Sequence, residues 1–131
     1  MKLALGVLLP TFLLAADARP TYHKDVVPVL QARCQSCHRP GEAGPFSMLT
    51  YKDTRPWAKA MKEAVLTKKM PPWFADPQFG HFKNNPSLTR AETETLVAWA
   101  DAGAPEGNLK DAPAPRAFIE GWNIGQPDAV F

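Results

Sequence analysis

The sequence predicts a small all-α domain of about three helices joined by long, proline-rich loops. Three apolar stripes recur at helical spacing, two of them begin at capping signals, and 14 prolines exclude a plain bundle with short turns. With 131 residues the chain has room for one domain and not comfortably for two. A hydrophobic share of 45 % excludes a disordered polar chain and a protein embedded in a membrane throughout. The net charge of +2 is spread without a basic block, so the concentrated cationic face of a nucleic-acid binder is missing.

Residues 1–18 read as an export signal. Lys2 supplies the positive start, Leu3 to Leu14 form an apolar run interrupted by Gly6, Pro10 and Thr11, and Ala16-Asp17-Ala18 matches a small-x-small cleavage pattern before Arg19. A bilayer span needs about 20 apolar residues, and this run is shorter and broken by proline. The expected organisation is therefore a signal over 1–18, the domain over 19–106, and a linker or lead-in to a following domain over 107–131. The mature chain is expected to be exported, periplasmic or extracellular, with no membrane span.

The first helix is expected over Tyr22 to Cys34, with Val26, Val27, Leu30 and Cys34 on one face. Pro28 fits only in a first turn, which favours Asp25 over Thr21 as the N-cap. His23 is expected to be exposed at that helix start. Arg39 to Pro45 is a turn-rich loop, and Phe46, Met48 and Leu49 return the chain to the core. The second helix is expected from about Arg55 to Lys69, with a stripe of Trp57, Met61, Ala64, Val65 and Lys68, ended by Met70-Pro71-Pro72. Trp73 to Pro86 is an aromatic loop without periodicity. The third helix opens at Ser87 or Thr89, where Thr89 and Glu92 form a capping box, and Gly103 closes it.

Cys34-Gln35-Ser36-Cys37-His38 is the C-x-x-C-H pattern of c-type haem attachment. Two cysteines three positions apart share one side of a helical turn and can each add to a haem vinyl group, and the histidine that follows is the proximal iron ligand. A disulfide between them would close a very short loop and stabilise little. A thioredoxin-like pair needs a strand leading into the motif, whereas here a helix does. Zinc needs further ligands, and only His23 and His81 remain.

For the distal ligand the candidates are Met48, Met61, Met70, His23 and His81. Met61 lies on an apolar helical stripe, where packing is the default for methionine. Met48 lies close in sequence to the proximal side. Met70 stands at a helix end before Pro71 and Pro72, which stiffen the backbone as a weak thioether ligand requires, so Met70 is the choice and His81, between Phe79 and Phe82, the runner-up.

From about Tyr22 to Pro105 this layout resembles class I cytochrome c: helix, C-x-x-C-H, proline loop, helix, Met-Pro, and a C-terminal helix with an aromatic residue. The resemblance implies a cytochrome c fold around one covalent haem c, and a proline carbonyl, Pro45 here, accepting from the proximal histidine. It also implies that terminal helices cross, pairing Val26 and Leu30 with Leu96, Val97 and Trp99. One departure is the short interval of 32 positions between His38 and Met70. Gly44-Pro45-Phe46, Met70-Pro71-Pro72-Trp73, Phe79-Gly80-His81-Phe82 and Gly121-Trp122-Asn123-Ile124-Gly125 are similar to cytochrome modules of multidomain bacterial proteins. There the module precedes a domain like the copper type II ascorbate-dependent monooxygenases.

The expected function is therefore electron transfer with His38/Met70 ligation, not catalysis, the partner being a redox protein or a fused redox domain. Leu30, Trp57, Val65, Trp73 and Leu96 are expected to wall the haem. Lys59, Lys62, Lys68 and Lys69 form either a steering face for an acidic partner or an ordinary solvated helix flank. The alternative is a haem enzyme or gas sensor with an open or His-ligated distal position.

Overall fold

The computed structural model describes residues 19–119, 125 and 127–130, so the export signal expected over 1–18 lies outside them. Three helical stretches and no strand occur among the described residues, which makes the fold all-α as predicted. A π turn, Tyr22–Val26, leads into helix α1, Val27–Arg33. Helix α2, Tyr51–Thr54, continues through a 3-10 turn, Arg55–Trp57, into helix α3, Ala58–Leu66. Helix α4 is Arg90–Asp101. No helix among the described residues is long and apolar enough to cross a membrane.

The first stretch begins at Tyr22 as expected, but Thr21 and not Asp25 caps it. Thr21, extended at φ −116° and ψ 157°, takes the N-cap position. Asp25 lies inside the turn, where its carboxylate accepts from the Thr21 amide at 2.7 Å. The reason is Pro28: it has no N–H to give and its ring crowds the carbonyl four residues back, and the wider π turn carries the chain past it. The second stretch starts before its expected Arg55, because the Thr50 hydroxyl caps it by accepting from the Asp53 amide at 3.1 Å. Pro56 then marks the 3-10 turn. The helix stops at Leu66, short of Lys69. Lys68 turns left-handed at φ +56°, and the Lys69 and Met70 amides fold back onto the Ala64 carbonyl at 2.9 and 3.2 Å. This turn tethers Met70 to α3.

Helix α4 opens on the predicted capping box. The Glu92 amide donates to the Thr89 hydroxyl at 3.2 Å, and the Thr89 amide to the Glu92 carboxylate at 2.6 Å. Gly103, left-handed at φ +85°, follows its last turn.

Val26, Leu30, Leu96, Tyr22 and Trp99 are fully buried where the first stretch meets α4, with the Tyr22 and Trp99 rings 6.0 Å apart. Val97 is only partly buried there. Burying one such aliphatic side chain stabilises by about 1.5–3 kcal/mol, against which an exposed pair such as Arg90–Glu94 counts for little. The chain leaving α4 seals this contact. The Pro105 carbonyl accepts from the Trp99 indole and from the Tyr22 amide, both at 2.9 Å, and Ala104 accepts from the Tyr51 hydroxyl at 2.9 Å.

His23, expected to be exposed, is buried. Its amide donates to the Glu106 carbonyl at 3.1 Å, its Nε2 lies 3.4 Å from the Glu106 carboxylate, and the Tyr22 ring meets it edge-on. Gly107 makes the covering segment possible, since a Cβ there would sit 2.5 Å from Thr21. Of the stretch 107–131, residues up to 119 are described continuously, and they run back along α1. Gln31 Nε2 donates to the Ala114 carbonyl at 2.9 Å, Arg116 donates to the Gln31 carbonyl, and Phe118 lies under the guanidinium groups of Arg39 and Arg116 at 4.4 and 5.3 Å.

Glu92 also accepts from Arg33 Nε at 3.0 Å, joining α4 to the end of α1. Burial by itself would raise its carboxyl, but the hydrogen bonds from Thr89 and Arg33, with the charge of Arg33, outweigh burial and hold it below the ordinary value. A depressed carboxyl stabilises the fold above the unfolded-state pKa and loses that effect as pH falls through the folded one. Glu92→Gln is therefore expected to cost about 1 kcal/mol in chemical denaturation at neutral pH. The gap from wild type should close in acid.

Candidate functional site

Helix α1 delivers the motif at its C-terminal end. The amides of Cys37 and His38 both return to the Cys34 carbonyl, at 3.1 and 2.9 Å, so both cysteines and the histidine share one turn. Cys34 is half-buried, Cys37 exposed and His38 buried, and both cysteines are free thiols. Burial pushes the Cys34 thiol up to about 12, with Cys37 and Glu92 adding to the rise and Arg33 opposing it.

The loop after the motif wraps His38. The Gly44 amide donates to the Cys37 carbonyl at 2.8 Å and the Met48 amide to the His38 carbonyl at 2.9 Å. With the loop pinned at those two points, the carbonyl facing His38 Nδ1, at 3.3 Å, is that of Phe46 and not of Pro45. A carbonyl can only accept, so this contact puts the proton on Nδ1 and leaves the Nε2 lone pair for a ligand. The Phe46 ring lies 4.9 Å from the imidazole and stacks on Trp57 at 4.1 Å and 10°. Gly44 is required by close approach: a Cβ there would stand 2.7 Å from the Cys37 carbonyl and 2.8 Å from the His38 ring. Buried Gln35 steadies the far end, donating to the Met48 carbonyl at 3.0 Å.

Cys34, Cys37 and His38 open into a cavity of about 520 Å³. That volume lies within the ~300–1,000 Å³ of cofactor sites. Pro45 lines it, as do Met70, Pro71 and Pro72. Three methionines face this space. Met48 is bonded to the backbone of His38 and lies on its side, Met61 is packed in the core, and Met70 stands at the end of α3 on its tether to Ala64. His81 lines only a neighbouring cavity of about 550 Å³, with Trp73 and Phe82, and Met70 borders that one as well. Of the expected wall residues, Trp57, Val65 and Leu96 line the first cavity, Leu30 belongs to the core, and Trp73 faces the second. Lys62 is tied to Asp101 at 2.5 Å and so bridges α3 to α4, which takes it out of the expected cationic face.

Sequence reasoning missed Phe46 and Leu88 as lining residues and Gly44 as the residue that admits the imidazole. The Gly-Pro pair marked the turn, but not which carbonyl it would turn inward. The donor set suits a planar group with its own equatorial ligands. A bare ion wants three or four protein donors, and no group of three or more His, Cys, Asp or Glu that could hold a metal ion is found among the described residues. Compared with family models, curated proteins and solved structures, the chain matches none.

Gly44→Ala tests the close approach. The added methyl group must displace the Cys37 carbonyl or the His38 ring, a form of overpacking that costs about 1–3 kcal/mol. Thermal denaturation should show a lower midpoint, and the His38 ring resonances should move.

Proposed function

We propose that this chain is a c-type cytochrome domain that passes single electrons through one haem c, bound at Cys34 and Cys37 with His38 and Met70 as axial ligands. One observation carries the reading: a single apolar cavity is lined by two neighbouring thiols, by an imidazole whose Nε2 lone pair is left available, and by Met70. When bound, the haem supplies an iron that cycles between ferrous and ferric states without a substrate pocket.

The chain's residues do the rest. Cys34 and Cys37 would add across the vinyl groups and make attachment permanent. Phe46 orients His38 through its carbonyl and holds the tautomer, and Gly44 lets the loop come close enough for that bond. A methionine ligand raises the reduction potential, and the apolar walls from Val65, Leu88 and Leu96 exclude water and raise it further. The resemblance to class I cytochrome c and to the modules of larger oxidoreductases supports an exported carrier whose partner is a redox protein or a fused redox domain. A His81-ligated distal position, one form of the alternative haem enzyme or gas sensor, draws less support because His81 lines the neighbouring cavity.

Absorption spectra of the protein, matured with a haem-attachment system, test this directly. Wild type should carry covalent haem and the weak red band of methionine sulfur on ferric iron, and Met70→Ala should keep the haem and lose the band. A chain without covalent haem would sink the proposal, and a band indifferent to Met70 would remove the assigned ligand.

A further inference from the structure

The cavity that His81 lines is about as large as the one beside the motif, at about 550 Å³, and differs from it in chemistry. Trp73 and Phe82 stand in it 5.5 Å apart at 80°. They make an aromatic corner, in which a further flat ring can stack on one and meet the other edge-on. Lys68, His81 and Asn85 add polar groups to the same lining. Asn85 spends its carbonyl oxygen on the Ser87 amide at 2.8 Å, so its NH2 group is left to donate. No carboxylate lines this cavity among the described residues, and Lys68 makes no ion pair among them. Asp76, next to the lining residue Ala75, accepts from the Gln78 amide at 2.8 Å and does not border the space.

A lining with a cation, free donors and no competing anion takes an anionic group, and the aromatic corner takes a ring. Val65, Met70, Pro71 and Leu88 line both cavities, so a guest in the second rests on residues that wall the first. We propose that the second cavity binds a small aromatic anion, one or two rings bearing a carboxylate or phenolate, and that its binding lowers the reduction potential of the haem. The binding stands apart from the electron-transfer reading, whereas the change in potential rests on it. The sign follows from charge: an anion beside Met70 favours the ferric iron, which carries one positive charge more than the ferrous. By linkage the potential falls by the ratio of the affinities for the two states, about 59 mV for each factor of ten.

The probe is 4-hydroxybenzoate, titrated into the haem-loaded protein by calorimetry and NMR. Binding should saturate, with the largest shifts on the Trp73 indole, Phe82 and His81. Uncharged 4-hydroxybenzyl alcohol and non-aromatic cyclohexanecarboxylate should each bind more weakly. Lys68→Gln should weaken the acid by roughly fivefold without touching the alcohol, and Lys68→Arg should restore it. Trp73→Leu should weaken both ring compounds by roughly tenfold, and Trp73→Phe by less. Lys68 is exposed, so its pair of variants decides the matter even if Trp73→Leu unfolds the chain. The potential should fall as the probe fills the site, and Lys68→Gln should need more probe for the same fall. Binding that does not saturate, shifts gathered elsewhere, or equal affinity for acid and alcohol would overturn the site. So would a probe taken up by the haem-free chain and refused by the loaded one, since the porphyrin would then fill both cavities. Saturable binding with an unmoved potential would overturn the coupling alone. A chain that takes up no covalent haem would overturn the electron-transfer reading and the coupling, and the same titration on that chain would decide the binding.

Discussion

The carbonyl of Pro105 accepts two donors at once, the Trp99 indole and the Tyr22 amide, and the rest of the fold is arranged around that point. A carbonyl oxygen has two lone pairs, and here both are used by groups that folding has taken out of water. A buried donor left unpaired costs about 1–3 kcal/mol, so neither helix end can slip without a penalty comparable to losing a core side chain. The end of α4 is thereby locked to the start of the first helical stretch. With that end fixed, α1 runs out to place its last turn, and the motif on it, beside the cavity. Tyr51 joins the same knot through Ala104 and brings in the second stretch.

The two sides of the cavity are held in different ways. His38 is governed by residues within ten positions: Phe46, Gly44, Met48 and, through Met48, Gln35. That half is assembled by its own loop. Met70 has no such local nest. Its place depends on the left-handed turn at Lys68, on the Ala64 carbonyl, and on the packing of α3 against α4. Helix α3 ends early, and its tether starts the return of the chain before the prolines.

What was legible in the sequence follows the same division. The all-α class, the Thr89–Glu92 box and the turn carrying Cys34, Cys37 and His38 are set by neighbours three or four positions apart, and spacing reveals such neighbours. His23 was misread because what buries it, Pro105 to Gly107, is some 80 positions away and looks like a loop on its own. That Thr21 and not Asp25 takes the N-cap position depends on a π turn that no periodicity announces. Phe46 in place of Pro45 is a matter of loop register, decided by two backbone bonds that leave no trace in composition. Lys62 could be read as a solvated lysine only until α4 put Asp101 beside it.

The segment beyond Gly107 gives the molecule a mechanical property. Gln31 is bonded both to Ala114 and to Arg116, and Phe118 is gripped by Arg39, the residue directly after His38. A load applied beyond Phe118 meets the Arg39 contact first and the two Gln31 bonds on the flank of α1 next. The tail therefore peels away from the end of the motif turn before the Pro105 bonds at the buried crossing of the helices carry any of the load.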